Sequence, residues 1–292
     1  MKYTLMDFQS QFPDERACLD FLFKLRFPKS FPCPECGKTD CFYPVEKRRS
    51  YSCSWCGHQV YPTAGTIFHK SSTSLRLWFF AIFLMAQSRN GVAAKELERQ
   101  LGVTYKTAWR MAHEIRKLMG GKPPKFKGEV EADETYIGGK RAGKRGRGAA
   151  GKTGVVGVVN RSGGVVAVVA PVVNTAHAMS NLLKTTEQGA TVHTDELNIY
   201  NLVGKLGFTH HVVRHGAGEY VRGRCHTNSI EGFWSQLKRS IDGTHHHVSA
   251  KHLQKYVNEF AFRYSNRYAS EDGTTMFALM AGRAPLPRDA AA

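Results

Sequence analysis

The chain has 292 residues, with 41 lysines and arginines against 24 aspartates and glutamates, a formal charge of +17 and a pI near 9.7. That imbalance points to a polyanionic partner, and nucleic acid is favoured over membrane surface because no basic amphipathic anchor or lipidation signal accompanies it. The longest apolar run, LWFFAIFLMA at 77–86, is too short to span a bilayer, and Asp7, Asp14, Glu15 and Asp20 interrupt any secretory signal, so the expected place is the cytoplasm, associated with the nucleoid.

In chain order, residues 1–30 hold a short helical pattern in which Leu19, Phe21, Leu22 and Leu25 are spaced to pack, until Pro28, Pro32 and Pro34 break it. Residues 31–70 form the next unit. CPEC at 33–36 and CSWC at 53–56 match a four-thiolate structural zinc site, each CxxC knuckle offering two ligands: Cys33, Cys36, Cys53 and Cys56. Disulfides are the rival reading, which a reducing compartment disfavours. Phe42, Tyr43, Tyr51, Val60 and Tyr61 are the expected small core that zinc supplements. Cys18, Cys41 and Cys225 have no partner at ligand spacing and read as packed thiols.

Residues 71–120 become helical and resemble a helix-turn-helix. An apolar helix over 75–88 ends at Asn90-Gly91, AAKELERQLGV gives a second ending at Gly102, and Thr104 caps a third carrying Tyr105, Lys106, Thr107, Arg110 and His113. The third is the one expected in a major groove. A helical hairpin that merely packs on its neighbour is the plainer alternative.

GGKPPK opens a linker at 121–128, and a larger α/β domain is expected over 129–285, with a tail at 286–292. GEVEADETYIG, TGVVGVVNRS and GVVAVVAPVV read as three strands; a helix near 177–187, a strand at TVHTD, a helix over 196–206 and a strand at HHVVRH follow. Meander first and βαβ afterwards is the order of a ribonuclease-H-like sheet with flanking helices. Between the first two strands, GGKRAGKRGRGAAGK at 138–152 carries Lys140, Arg141, Lys144, Arg145 and Arg147 without an acid, a composition suited to phosphates.

Three acids stand in unlike surroundings: Asp133 and Asp195 at the ends of strand-like runs, and Glu231 on an amphipathic helix. Such a set suits divalent cations held by hard oxygens. Strand alternation puts Glu129, Glu131 and Asp133 on one face and Glu134 on the other, leaving Glu131 and Asp133 both possible. Asp195 also reads as a helix N-cap, and His193 as a support for its strand. In NSIEGFWSQLKR, Ile230, Phe233, Trp234 and Leu237 turn inward, while Glu231 and Lys238, nearly two turns apart, share a stripe with Asn228 close by. Leu253, Tyr256, Val257, Phe260 and Tyr264 form a later core stripe, capped by Ser249; His245, His246 and His247 suit phosphate or backbone contacts better than one shared ion.

CPEC with CSWC, LGVTYKTAWRM, EADETYIGGK, VHTDELNIY and HTNSIEGFWSQLKRSIDGTHHHVSAKHLQKYVNEFAFRYSNR together resemble bacterial insertion-sequence transposases of the zinc-ribbon DDE group, over residues 6–283. The resemblance implies a ribonuclease-H-like catalytic domain in which Asp133, Asp195 and Glu231 hold two Mg²⁺ or Mn²⁺ ions, with Asn228 as the alternative third ligand and one structural Zn²⁺ elsewhere. It implies double-stranded DNA as partner, both terminal inverted repeats and target, a homodimer or higher multimer on that DNA, and metal-dependent cleavage followed by strand transfer. Lys238, Arg239 and the basic loop would position phosphates, and Lys106 and Arg110 would grip the repeat. Two other functions fit the same residues: a zinc-ribbon regulator without catalysis, and a ribonuclease-H-like nuclease that cuts without joining.

Overall fold

A computed structural model describes residues 3–121, 125–138, 151–268 and 275–283. Lys140, Arg141, Lys144, Arg145 and Arg147 of the basic segment lie outside the described residues, as does the tail at 286–292. The chain divides into two compact units, one built from 1–88, 94–121 and 269–292, the other from 89–93 and 122–268.

In the first unit, α1 (Leu5–Gln11) starts in a capping box, Thr4 and Asp7 satisfying each other's backbone N–H. Helix α2 (Glu15–Arg26) is capped by the Asp14 side chain at Ala17. The strands β1 (Phe42–Pro44), β2 (Tyr51–Cys53) and β3 (Gln59–Val60) form a small antiparallel sheet in that order. Of the expected ribbon core, Tyr51 and Val60 are buried, but Tyr43 and Tyr61 are about half exposed, at 50% and 48%. Alternation explains Tyr43, since its neighbour Phe42 takes the inner side of a three-residue strand. Tyr61 falls one residue past the end of β3.

Helix α3 (Leu75–Gln87), capped by Ser74, buries Leu75, Trp78, Phe79, Ile82 and Met85 completely. Each such side chain contributes about 1.5–3 kcal/mol by leaving water, enough to fix an apolar helix as the spine of this unit. Helices α4 (Ala94–Leu101) and α5 (Tyr105–Leu118) follow, separated by Gly102 at φ +62° and by Thr104, whose hydroxyl accepts from Thr107 N–H.

The second unit is a five-stranded mixed sheet. Its strands are β4 (Glu129–Ile137), β5 (Thr153–Asn160), β6 (Val165–Ala170), β7 (Thr191–Thr194) and β8 (Thr209–Val212), in the spatial order β6-β5-β4-β7-β8. The first three pair antiparallel, and β4, β7 and β8 run parallel. Helix α6 (Thr175–Thr185) covers one face, where Met179 and Leu182 meet Val130, Val158 and Val192. Helices α7 (Asn228–Ser240) and α8 (Ala250–Ser265) cover the other, packing Phe233, Leu237, Val257 and Phe260 on Val155 and Val159. Ser249 occupies the N-cap position of α8, but its side chain makes no capping bond.

The helix expected over 196–206 does not form. Two single 3-10 turns, Asn198–Tyr200 and Gly204–Leu206, take its place, ending at Gly207 with φ +84°. Asparagines and glycines at 198, 201, 204 and 207 weaken a helix, and the Glu196 carboxylate accepts from His215 and Gly216 N–H instead of facing a helical turn. The expected domain limit at 285 also shifts. Helix α9 (Met276–Arg283) belongs to the first unit, where Phe277 stacks on Tyr3 and Arg283 donates to the Leu118 carbonyl.

Candidate active site

Strand β4 carries the centre of the site because two of its acids on one face do different work. Glu131 is fully buried, and its Oε2 accepts from the backbone N–H of Ser229 and Ile230, 2.8 and 3.1 Å away in the first turn of α7. A carboxylate there answers both the orphan donors and the positive end of the helix. Its Oε1 accepts from Arg161 Nε at 2.9 Å, and His226 Nδ1 lies 3.2 Å away. Arg161 also donates to the carbonyls of Arg224 and His226 and to Glu129, drawing the chain that leads into α7 onto the sheet. Glu131 therefore sets where α7 begins.

Two residues along, Asp133 accepts from Trp234 Nε1 of α7 at 3.0 Å. The indole reaches it because Asp133 pairs with Gly157 on β5: a Cβ at Gly157 would stand 2.6 Å from Trp234 Cη2. Asp133 is partly buried and lines a cavity. Burial, then the charges of Glu134 and Asp195, push its pKa up to about 8, against the Glu134 backbone N–H and the Trp234 indole.

Asp195 arrives beside it by register. Glu131 is opposite His193 where β4 and β7 run parallel, and the two aspartates each lie two residues beyond that pair. Asp195 Oδ1 accepts from Leu197 N–H at 3.1 Å, a local turn rather than a helix cap. Both acids line one cavity of about 590 Å³ with Glu134, Lys152 and Lys238. Partial burial lowers the Lys238 pKa, with Asp133 favouring its charge and Lys152 opposing it. Tyr200, buried behind the site, donates to Glu134 at 3.3 Å, and desolvation raises its pKa well above the ordinary value.

Glu231 stands apart from that cavity. It sits in the first turn of α7, accepts from Thr227 Oγ1 at 2.8 Å and lies 3.9 Å from His215 Nε2. Neither Glu231 nor Asn228 lines the cavity, though Glu231 is one turn before Trp234 on the same helix. Arg239 is exposed, its Nε 3.4 Å from the Ser235 carbonyl. His193 is buried between Glu129 and His211, and desolvation followed by Arg161 lowers its pKa to about 4, a neutral imidazole supporting the strand.

In the first unit the sulfurs of Cys33, Cys36, Cys53 and Cys56 all lie within 4.8 Å of one another, the one group of three or more potential metal ligands at that spacing among the described residues. His245, His246 and His247 do not gather in this way. Four thiolates on two knuckles are a donor set that fits tetrahedral zinc. Cys41, read from sequence as a packed thiol, places its sulfur 3.4 Å from Cys53. On α5, Lys106 is exposed, whereas Arg110 turns inward, 3.4 Å from Ser71 Oγ with its guanidinium over Trp78.

Residues 125–265 match the ISXO2-like transposase domain, and residues 13–59 match the transposase zinc-ribbon domain. The chain belongs to the zinc-ribbon ISXO2-like transposases. It is also similar to an uncharacterized protein in transposable element ISH50 of Halobacterium salinarum, 29% identical over 273 residues that cover 86% of this chain and 91% of that protein. In this transposase chain the two matched segments coincide with the cysteine cluster and with the sheet that bears Asp133 and Asp195. Among the described residues no helix is long and apolar enough to cross a membrane.

Several residues of the site went unread in the sequence. Strand alternation turned Glu134 away from Asp133, yet at the open end of the sheet both reach the same cavity. Lys152 was one cation in a basic run, and Arg161 one residue near the end of a strand-like run. Gly157, a glycine inside a valine-rich strand, was the available signal, because such a glycine marks a close approach.

Proposed function

We propose that this chain is a DNA transposase that binds the terminal inverted repeats of an insertion sequence and catalyses their cleavage and strand transfer at the cavity of Asp133 and Asp195. The carrying observation is that cavity: two carboxylates brought side by side by parallel register, with Lys152 and Lys238 on its wall. Asp133 is too buried and too close to Asp195 and Glu134 to hold its charge at neutral pH unaided. A divalent cation is what such a site fits, and carboxylate oxygens are the donors that Mg²⁺ or Mn²⁺ prefers. Two such ions supply Lewis-acid activation of the attacking oxygen and stabilisation of the leaving one.

The chain's own residues do the rest. Asp133 and Asp195 hold the cations, and Trp234 fixes the Asp133 carboxylate. Glu231 is the third ligand in this reading and Asn228 its competitor, both carried by the helix whose start Glu131 and Arg161 hold. Lys152 and Lys238 bind phosphate oxygens beside the scissile bond, with Arg239 and the cations of the basic segment along the flanking backbone. Lys106, exposed at the start of α5, contacts the repeat as part of a helix-turn-helix; the inward contacts of Arg110 give it a supporting part instead. The sheet serves as a ribonuclease-H-like scaffold, the cysteines hold structural zinc, and the chain works as a dimer or higher multimer on DNA.

The test is purified protein with terminal-repeat DNA and Mg²⁺, scoring cut and joined products separately. Joining by wild type, lost in Asp133→Ala and Asp195→Ala, supports the proposal. Cutting without joining makes the protein a nuclease, and binding without either makes it a regulator. Loss in Asn228→Ala with activity retained in Glu231→Ala moves the third ligand to Asn228.

A further inference from the structure

A second cavity, of about 440 Å³, opens in the first unit between α2 and the ribbon. Its wall is a chain of aromatic rings. Phe23 and Phe27 lie 5.3 Å apart, Phe27 and Phe31 4.9 Å, and Phe31 and Phe42 6.0 Å between centroids, while Phe23 stacks on Tyr51 at 3.7 Å. All four phenylalanines keep partial exposure. Those that build the core of the same unit do not: Phe8, Phe12, Phe68 and Phe79 are 2%, 1%, 1% and 0% exposed. The ring faces around the cavity are thus presented to something.

The rim is charged. Lys24 and Lys29 line it, both exposed and without an ion pair among the described residues. Arg16 pairs with Asp20 at 2.8 Å over the Tyr51 ring, and the exposed Asp40 adds a carboxylate. An apolar side chain from another protein would use the rings and leave these groups idle. A nucleotide uses all of them: a planar base stacks on aromatic faces, an exocyclic amino group donates to a carboxylate, and flanking phosphates meet lysines. The surplus of 41 basic over 24 acidic residues in the chain complements a phosphate backbone.

We propose that this cavity receives an unpaired nucleobase of single-stranded DNA, one bearing an amino group on its pairing edge, with Lys24 and Lys29 on the adjoining phosphates. The inference rests on the reading that the chain acts on DNA, and it adds a single-strand subsite on the ribbon. An unpaired nucleotide of this kind is what a frayed or freshly cut element end offers.

The experiment measures fluorescence anisotropy of the full, zinc-loaded chain without Mg²⁺, on short single strands of dA, dC or dT and on terminal-repeat duplex. Phe27→Leu and Phe31→Leu keep apolar volume and remove the aromatic face. Each is expected to weaken single-strand binding about tenfold and leave duplex binding and zinc content unchanged. Lys24→Gln with Lys29→Gln should reduce the salt slope of single-strand binding by about 1.4. Asp40→Ala, which removes the acceptor, should abolish the preference of wild type for dA and dC over dT.

Wild-type single-strand affinity in both leucine variants overturns the proposal. Equal loss on single strand and duplex, or loss of self-association in place of DNA binding, overturns it too, the last assigning the cavity to protein. A leucine variant that loses zinc is replaced by Phe27→Tyr, which retains the ring and must bind as wild type. Without Mg²⁺ the readout is binding alone, with no cutting or joining. Failure of the cleavage assay and failure of this assay are therefore separate results.

Discussion

Asp133→Asn isolates the electrostatic tension at the centre of the site. In the metal-free folded chain the Asp133 pKa stands at about 8, against 3.8 for an ordinary aspartate. Below pH 3.8 the carboxyl is protonated folded or unfolded, and its protonation costs folding nothing. As pH rises from there towards about 8 the unfolded chain releases a proton that the folded chain retains, so stability falls across that window. At 1.36 kcal/mol per unit, the loss reaches about 4 kcal/mol at neutral pH if burial is unrelieved. Asparagine is neutral throughout and keeps an oxygen for the Trp234 N–H.

Asp133→Asn is therefore expected to be more stable than wild type by up to about 4 kcal/mol near pH 7 in the presence of chelator, with the gap closing towards pH 4. Amide hydrogen exchange in β4 and β5, read by mass spectrometry across this pH range, reports the second unit without relying on a two-state transition for the whole chain. Adding Mn²⁺ or Mg²⁺ should then stabilise wild type and leave the asparagine variant unmoved. A variant with the wild-type pH slope, or one less stable than wild type at neutral pH without metal, would refute the account of Asp133 as a buried acid lacking its cation.

Three other outcomes follow from the same geometry. Glu131→Ala leaves Arg161 and the first N–H groups of α7 without their acceptor, and a loss of about 3–5 kcal/mol in the second unit is expected by hydrogen exchange; a loss under about 1 kcal/mol would mean water replaces the carboxylate. Gly157→Ala sets a Cβ against the Trp234 ring, destabilising by about 1–3 kcal/mol and changing the fluorescence that Trp234→Phe removes; an unchanged spectrum would contradict that packing. Cys33→Ser should lower zinc content and unfold the ribbon. Cys41→Ser should retain one zinc per chain, and a fall in that stoichiometry would make Cys41 a ligand.

Much of this molecule is legible in the order of its residues. Paired CxxC motifs name their ligands, because a turn of that length delivers two sulfurs to one point whatever surrounds it. Near-continuous valine runs mark β5 and β6, as befits strands covered on both faces, and the apolar stripes of α7 and α8 mark their inner faces, since burial of one side of a helix is a local periodic property. Asp195 stood out as an acid at the end of an apolar strand; Asp133, read the same way, is instead the middle residue of β4. The helix expected over 196–206 failed because an apolar spacing there was outweighed by asparagines, glycines and a distant bond from Glu196 to the 215–216 backbone. Such a bond joins residues about twenty apart, beyond the reach of a periodicity argument.

Composition, periodicity and knuckle spacing by themselves determined a basic, zinc-ribbon-bearing chain with a mixed α/β unit and a short list of acids. Tertiary structure decided what each acid meets. Glu131 and Asp133 share a strand face and are equivalent to any local rule, yet one meets the start of α7 and the other meets Trp234 and an open cavity. Asp195 became a neighbour of Asp133 through parallel register across 61 intervening positions, while Glu231 stayed with Thr227 and His215. A carboxylate's role depends on which donors and charges lie within a few ångströms, and those are supplied by chain folded back from far away.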